Sequence, residues 1–109
     1  MEFCRKKRLI VRLDAELILN GVSYPGFIGN MSEDGVHMKI TSAKNTEDLA
    51  PGAITDLRFR IPSGETLSLL CRIKWLSKSA EGNVTCCAGM AILDFPDIYL
   101  KLLSGRIKF

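Results

Sequence analysis

Apolar and polar positions alternate with a period of two along most of the chain, the mark of strands buried on one side. Leu57, Phe59 and Ile61 share one face, and Asp56, Arg58 and Arg60 the other. After the turn Pro62-Ser63-Gly64-Glu65, Leu67, Leu69, Cys71, Ile73 and Trp75 form a predicted inward face. Thr66, Ser68, Arg72 and Lys74 point outward there, with Leu70 an apolar exception. Val36, Met38 and Ile40 alternate with His37, Lys39 and Thr41. Upstream, residues 15–20 run into Asn20-Gly21, a strong two-residue hairpin signal, with residues 22–28 as the partner strand. Residues 41–52 lack a period and read as a loop with room for one helical turn, Glu81-Gly82-Asn83 is a further turn, and residues 84–93 make the last strand.

The tail changes period. Phe95, Ile98, Tyr99, Leu102 and Leu103 recur at helical spacing, with Asp94 as the expected cap, Pro96 in the first turn and Gly105 as the stop. The pattern therefore predicts a small antiparallel β-barrel with one wet side, its open end covered by a short amphipathic helix.

Composition narrows this little. A chain of 109 residues with 47% hydrophobic and 25% charged residues is one ordinary globular domain rather than a disordered one. The apolar stretches are only a few residues long, so neither a membrane span nor a signal-type apolar region is expected. The cysteines are Cys4, Cys71, Cys86 and Cys87, without a CxxC pair, and His37 is the only histidine, which argues against zinc. Cys71 and Cys86 read as small core residues, and vicinal Cys86 and Cys87 should face opposite sides of the sheet. Reduced thiols in the cytoplasm are the expectation.

Charge changes the picture more. The net +3 is concentrated: residues 1–13 carry Arg5, Lys6, Lys7, Arg8 and Arg12 against Glu2, a net +4, and the rest of the chain is −1. That points to a localised anion site rather than a broad basic face.

Two polar signatures stand out. Arg8-Leu9-Ile10-Val11-Arg12 places two guanidinium groups four residues apart, and Asn30-Met31-Ser32-Glu33-Asp34-Gly35 places an amide, a hydroxyl and a glycine at a strand end. Arginine's planar fork matches the O6/N7 edge of guanine, pairs with phosphate oxygens and stacks on bases. Asn30 and Ser32, two residues apart in an extended strand end, are expected to project on one side, with Gly35 turning the chain through positive φ. Alone, either is the common pattern of a frayed basic terminus or of an Asx turn. In sequence they suggest a mobile cationic arm facing a rigid polar ledge. His37 reads as a strand-surface residue and Trp75 as a core or rim aromatic. No carboxylate pair, Ser/Cys–His arrangement or phosphate loop appears, so no enzyme is expected.

The order of Arg8-x-x-x-Arg12 and Asn30-x-Ser32-x-x-Gly35 resembles the paired signature of PilZ domains, bacterial receptors for cyclic di-GMP. The likeness extends through Pro51-Gly52, Leu57-Arg58-Phe59, Ile61-Pro62-Ser63-Gly64, Cys71-Arg72-Ile73-Lys74-Trp75 and Gly89-Met90-Ala91-Ile92, nearly the whole chain. The resemblance implies an all-β fold, a six-stranded antiparallel barrel with a short C-terminal helix. It implies residues 1–13 as a flexible arm and 14–109 as the barrel, and cyclic di-GMP as ligand with no cofactor or metal. Arg8 and Arg12 would wrap the ligand and Asn30, Ser32 and Gly35 would form the ledge, with Lys7, Arg5 and Gly89 as supporting positions. Some relatives take a stacked pair of ligand molecules, a preference linked to the residue before the first arginine. Here that residue is Lys7, and the stoichiometry stays open. Output would pass through a partner protein in motility, pilus or exopolysaccharide pathways. The alternatives are an interaction module of the same fold that does not use the nucleotide, and a small-barrel nucleic-acid binder. The latter is disfavoured because only eight aromatic residues are present and most fall at core positions.

Overall fold

Six strands are joined in antiparallel pairs throughout: β1 (Leu9–Leu19), β2 (Val22–Met31), β3 (Gly35–Ile40), β4 (Ile54–Arg60), β5 (Thr66–Lys78) and β6 (Cys86–Asp94). They close into a barrel in the order β1-β2-β3-β6-β5-β4, followed by one helix, α1 (Asp97–Leu103). This is a computed structural model, and it describes residues 9–41, 49–78 and 84–104.

The alternation places the core as expected. Leu57, Phe59, Ile61, Leu67, Leu69, Cys71 and Ile73 are buried, as are Val36, Met38 and Ile40. Closure leaves no free edge along the ladder, so every strand finds two partners. The Asn20-Gly21 hairpin is of the mirror-image type suited to strand twist, with φ of 52° and 78°. Gly64, at φ 98°, turns the chain between β4 and β5, where Gly64 N donates to Ile61 O.

Four features differ from the reading of the sequence. First, β1 begins at Leu9, not at residue 15, because Leu9 and Ile10 already pair with Met31 and Asn30. Second, Trp75 is 45% exposed instead of inward. Ile73 opposes Met90 while Trp75 opposes Gly89, so β5 carries one extra residue there, and that bulge turns the indole outward. Third, the helix is not capped by Asp94, whose Oδ1 accepts from Phe95 N at 2.9 Å; the N-cap is Pro96, without a side-chain bond. Fourth, the last strand opens at Cys86, two residues later than expected. The Glu81-Gly82-Asn83 turn, Gly105, Cys4 and most of the 41–52 loop lie outside the described residues.

α1 inserts Tyr99, Leu102 and Leu103 into the same core. Cys71 and Cys86 are buried and Cys87 half-buried, on opposite faces as expected. Burial raises the Cys71 thiol from its ordinary 9.0 to about 12, with the Asp56 carboxylate adding to the effect. Tyr99 is pushed up by the same cause. Both groups are neutral in the fold, so the unfolded chain loses their protons first. Stability from this source is whole below pH 9 for Cys71 and below pH 10 for Tyr99, and falls as pH rises above those values, by about 1.4 kcal/mol per pH unit for each group. Thermal melts between pH 8 and 11 should show a steep alkaline loss that Cys71→Ala makes shallower.

Candidate functional site

The site is built on a cluster of bulges. Between Ile10 and Leu13, β1 has one residue more than β2, and the surplus falls at Val11 and Arg12. Between Ile28 and Asn30, β2 has one residue more than β3, at Gly29. Bulges bend a strand and re-aim its side chains. Arg12 is exposed, and its guanidinium lies 3.9 Å from the centroid of the Phe27 ring, a stacked arrangement that leaves its N–H edges available.

Next to it, one cross-strand row runs over five strands. Ile10 pairs with Asn30, Asn30 with His37, His37 with Gly89, and Gly89 with Trp75. Ile10 is 81% exposed. The Asn30 amide nitrogen is 3.4 Å from Nδ1 of His37 and donates to it when that nitrogen is unprotonated. The rings of His37 and Trp75 lie 5.2 Å apart at 52°. Gly89 explains the indole's place: a Cβ there would overlap Nε1 and Cε2 of Trp75. A groove of about 460 Å³ opens beside this row, walled by Gly35, His37, Lys74, Trp75 and Ala91.

The turn after β2 is held by its own groups. Ser32 N donates to Gly35 O at 2.8 Å, and Gly35 N donates to Ser32 Oγ at 3.2 Å. Ser32 Oγ lies 3.0 Å from Asp34 Oδ1, to which it donates, and Ile92 N donates to Asp34 O. Tyr99 of α1 donates from its hydroxyl to Ser32 O at 2.6 Å. Ser32 is therefore 1% exposed, with its hydroxyl turned into the loop, and does not project beside Asn30 from an extended strand. Gly35 is not among the positive-φ residues, because the Ser32 bonds close the turn without one. A Cβ at Gly35 would meet Met90 O at 3.4 Å and Ser32 Oγ at 3.8 Å, ordinary contacts, so the fold itself does not demand glycine here.

The structure thus brings Arg12, Asn30, Gly35 and Gly89 to one stretch of outer surface, with Ser32 beneath it as the pin of the turn. Gly89 takes part by seating Trp75. Arg8, Lys7 and Arg5 lie outside the described residues. The sequence reading missed Phe27, the outward Trp75 and Tyr99. A glycine inside a strand pattern, as at Gly89, signals close approach by another group, and that was the available clue to Trp75. Among the described residues no three His, Cys, Asp or Glu side chains gather to hold a metal.

Together these groups suit a flat, polyanionic ligand. Indole and imidazole offer faces for a base, the Asn30 amide can read a base edge, and Arg12 and Lys74 supply positive charge for phosphates.

The sequence matches the PilZ domain family over residues 4–107. A solved structure with a similar fold is the Bacillus subtilis inhibitor of motility MotI/DgrA, with a TM-score of 0.75 and 11% identity. The likeness covers 96% of this chain and 50% of that one, so the chain spans about half the length of this neighbour. No curated protein matches the sequence.

Proposed function

The chain belongs to the PilZ domain family, and from that premise we propose that it is a receptor for cyclic di-GMP without catalytic activity of its own. The observation that carries this reading is the gathering of Arg12, Asn30, His37 and Trp75 on one outer surface beside the Gly35 turn. One guanine stacks against Trp75 and meets Asn30, and the arginine forks engage the second guanine and the phosphates. Arg8 joins Arg12 from the arm, and Lys7 and Arg5 add electrostatic attraction.

In this reading the ligand draws the basic residues ahead of β1 onto the site and presses on the Ser32 turn. The Tyr99–Ser32 bond carries that change to α1, where a partner protein reads it. The motility inhibitor of similar fold makes motility machinery the first place to look for that partner, ahead of pilus or polysaccharide assembly. Cytoplasm is the proposed location; among the described residues no helix is long and apolar enough to cross a membrane.

Calorimetry with cyclic di-GMP against GMP tests the reading. Saturable binding of the dinucleotide alone is expected, with amides of residues 1–13 shifting in NMR spectra. Absence of heat with the dinucleotide would leave an interaction module of the same fold as the better account. Gly35→Ala adds a sharper expectation. Its methyl group makes only ordinary contacts, so the melting point should hold within about 0.5 kcal/mol of stability. Affinity for the dinucleotide should nonetheless fall, because the added methyl stands at the wall of the groove.

A further inference from the structure

Asn30 meets a base through an amide, and the two ends of an amide have opposite chemistry: the NH2 group donates and the carbonyl oxygen accepts. Which end is offered decides which base it suits. Guanine carries an N1–H on its Watson–Crick edge where adenine carries a bare ring nitrogen, so an oxygen set against that position selects guanine and an NH2 group selects adenine. His37 stands where it can fix the choice. It is the register partner of Asn30 across β2 and β3, with Nδ2 of Asn30 3.4 Å from its Nδ1. The imidazole is half-buried and also packs against the Trp75 indole, with ring centroids 5.2 Å apart.

When the proton of the neutral ring is on Nε2, Nδ1 accepts from the Asn30 NH2 group, and the oxygen is the end the amide offers to a base. Protonation of the ring places a hydrogen on Nδ1. The ring then donates, the amide turns over to meet it with its oxygen, and the NH2 group is offered instead. We propose that neutral His37 is a positioning residue for base selection, holding Asn30 with its oxygen toward the ligand so that guanine is preferred to adenine. This rests on the cyclic di-GMP reading and adds to it the residue that sets the base preference. Histidine is the side-chain type that ordinarily changes charge between about pH 5 and 8, and His37 is the only histidine of the chain.

Charged groups surround this ring. Asp34 of the turn and Lys74 of β5 wall the same groove. Glu33 precedes Asp34, Lys39 follows His37 by two residues on β3, and Arg72 precedes Lys74 by two on β5. β6 places Cys87 two residues from Gly89, and β2 carries no charged residue, although Arg12 of β1 lies over its Phe27 ring. These groups act alike on two dinucleotides of equal charge. The ratio of the two affinities, rather than either affinity, therefore reports the amide.

The test is calorimetry of the full chain with cyclic di-GMP and with cyclic di-AMP, at pH 8 and at pH 5, for the unaltered protein, His37→Leu and His37→Asp. The preference for cyclic di-GMP should fall about tenfold when the unaltered protein is acidified, and by a similar factor in His37→Leu at pH 8, which has no acceptor. His37→Asp supplies an acceptor that cannot donate while ionised. It should weaken both ligands through its charge and yet keep the preference at both pH values. If a variant does not fold or does not bind, the response of the unaltered protein to pH decides alone. A preference that either acid or His37→Leu leaves unchanged, or that acid reduces equally in His37→Asp, overturns the inference and leaves the receptor reading standing. Failure of the unaltered chain to bind cyclic di-GMP at pH 8 overturns both.

Discussion

Arg12→Ala is expected to remove most of the affinity for cyclic di-GMP while leaving the barrel folded. A hydrogen bond to a charged group contributes about 1.5–3 kcal/mol net, which corresponds to a loss of roughly 10- to 150-fold in Kd. The upper end is the better expectation for a fork that serves both a base and a phosphate. The side chain is exposed and touches the fold mainly through the Phe27 ring, so its removal should barely move the melting point. Arg12→Lys is the informative companion. It keeps the charge and loses the planar fork, so it should recover only a minor part of the affinity. Calorimetry at two salt concentrations separates the contributions, because the phosphate part weakens with salt. Full affinity in Arg12→Ala would remove the arginine from the site.

Gly89→Ala should be nearly as damaging, for a reason that lies in Trp75. The new Cβ would occupy the space of the indole. The three nearest atoms all belong to the indole, so the ring is expected to be displaced and the fold to survive. If Trp75 stacks on a guanine, Trp75→Ala costs about 1–3 kcal/mol, and Gly89→Ala should cost a similar amount. The two are not independent. Adding Gly89→Ala to Trp75→Ala should cost nothing further, since the ring that needed the space is already gone. The chain has a single tryptophan, so its emission reports directly on the displacement. A red shift in Gly89→Ala and quenching by ligand in the unaltered protein are the expected results. Unchanged emission and affinity in Gly89→Ala would deny Trp75 its place in the site.

The Tyr99–Ser32 bond is the contact through which the proposed signal would reach α1. It joins the helix to the turn beside the groove through a hydroxyl that burial keeps protonated well above its usual range. The turn is held by the bonds of Ser32 with Asp34 and Gly35 and by the Tyr99 hydroxyl from the core.

How much of this was legible before folding differs from residue to residue. Leu57, Phe59 and Ile61, and likewise Val36, Met38 and Ile40, declared their inward face by alternation alone, because burial on one side of a sheet leaves a period of two. Asn20-Gly21 declared its hairpin because few other residues adopt positive φ at two successive positions. Arg12, Asn30 and Gly35 were visible as candidates because spacing and residue chemistry are local properties. Trp75 was misplaced by the same logic that placed Leu69 and Ile73. Alternation holds only while two strands advance in step, and Lys74 and Trp75 together oppose a single position of β6.

Ser32 and Gly35 teach the complementary lesson. Their residue types pointed to the right turn, yet the hydroxyl's inward direction and the ordinary φ of the glycine came from the bonds of Ser32 with Asp34 and Gly35. By itself, then, the sequence determined the strand pattern, the hairpin, most of the core faces and the residue types of the proposed ligand surface. The tertiary structure alone decided which of those residues share that surface and which way Trp75 and Ser32 point. The reason is physical: a bulge is one residue too many relative to a neighbouring strand, and it has no meaning until the two strands are paired.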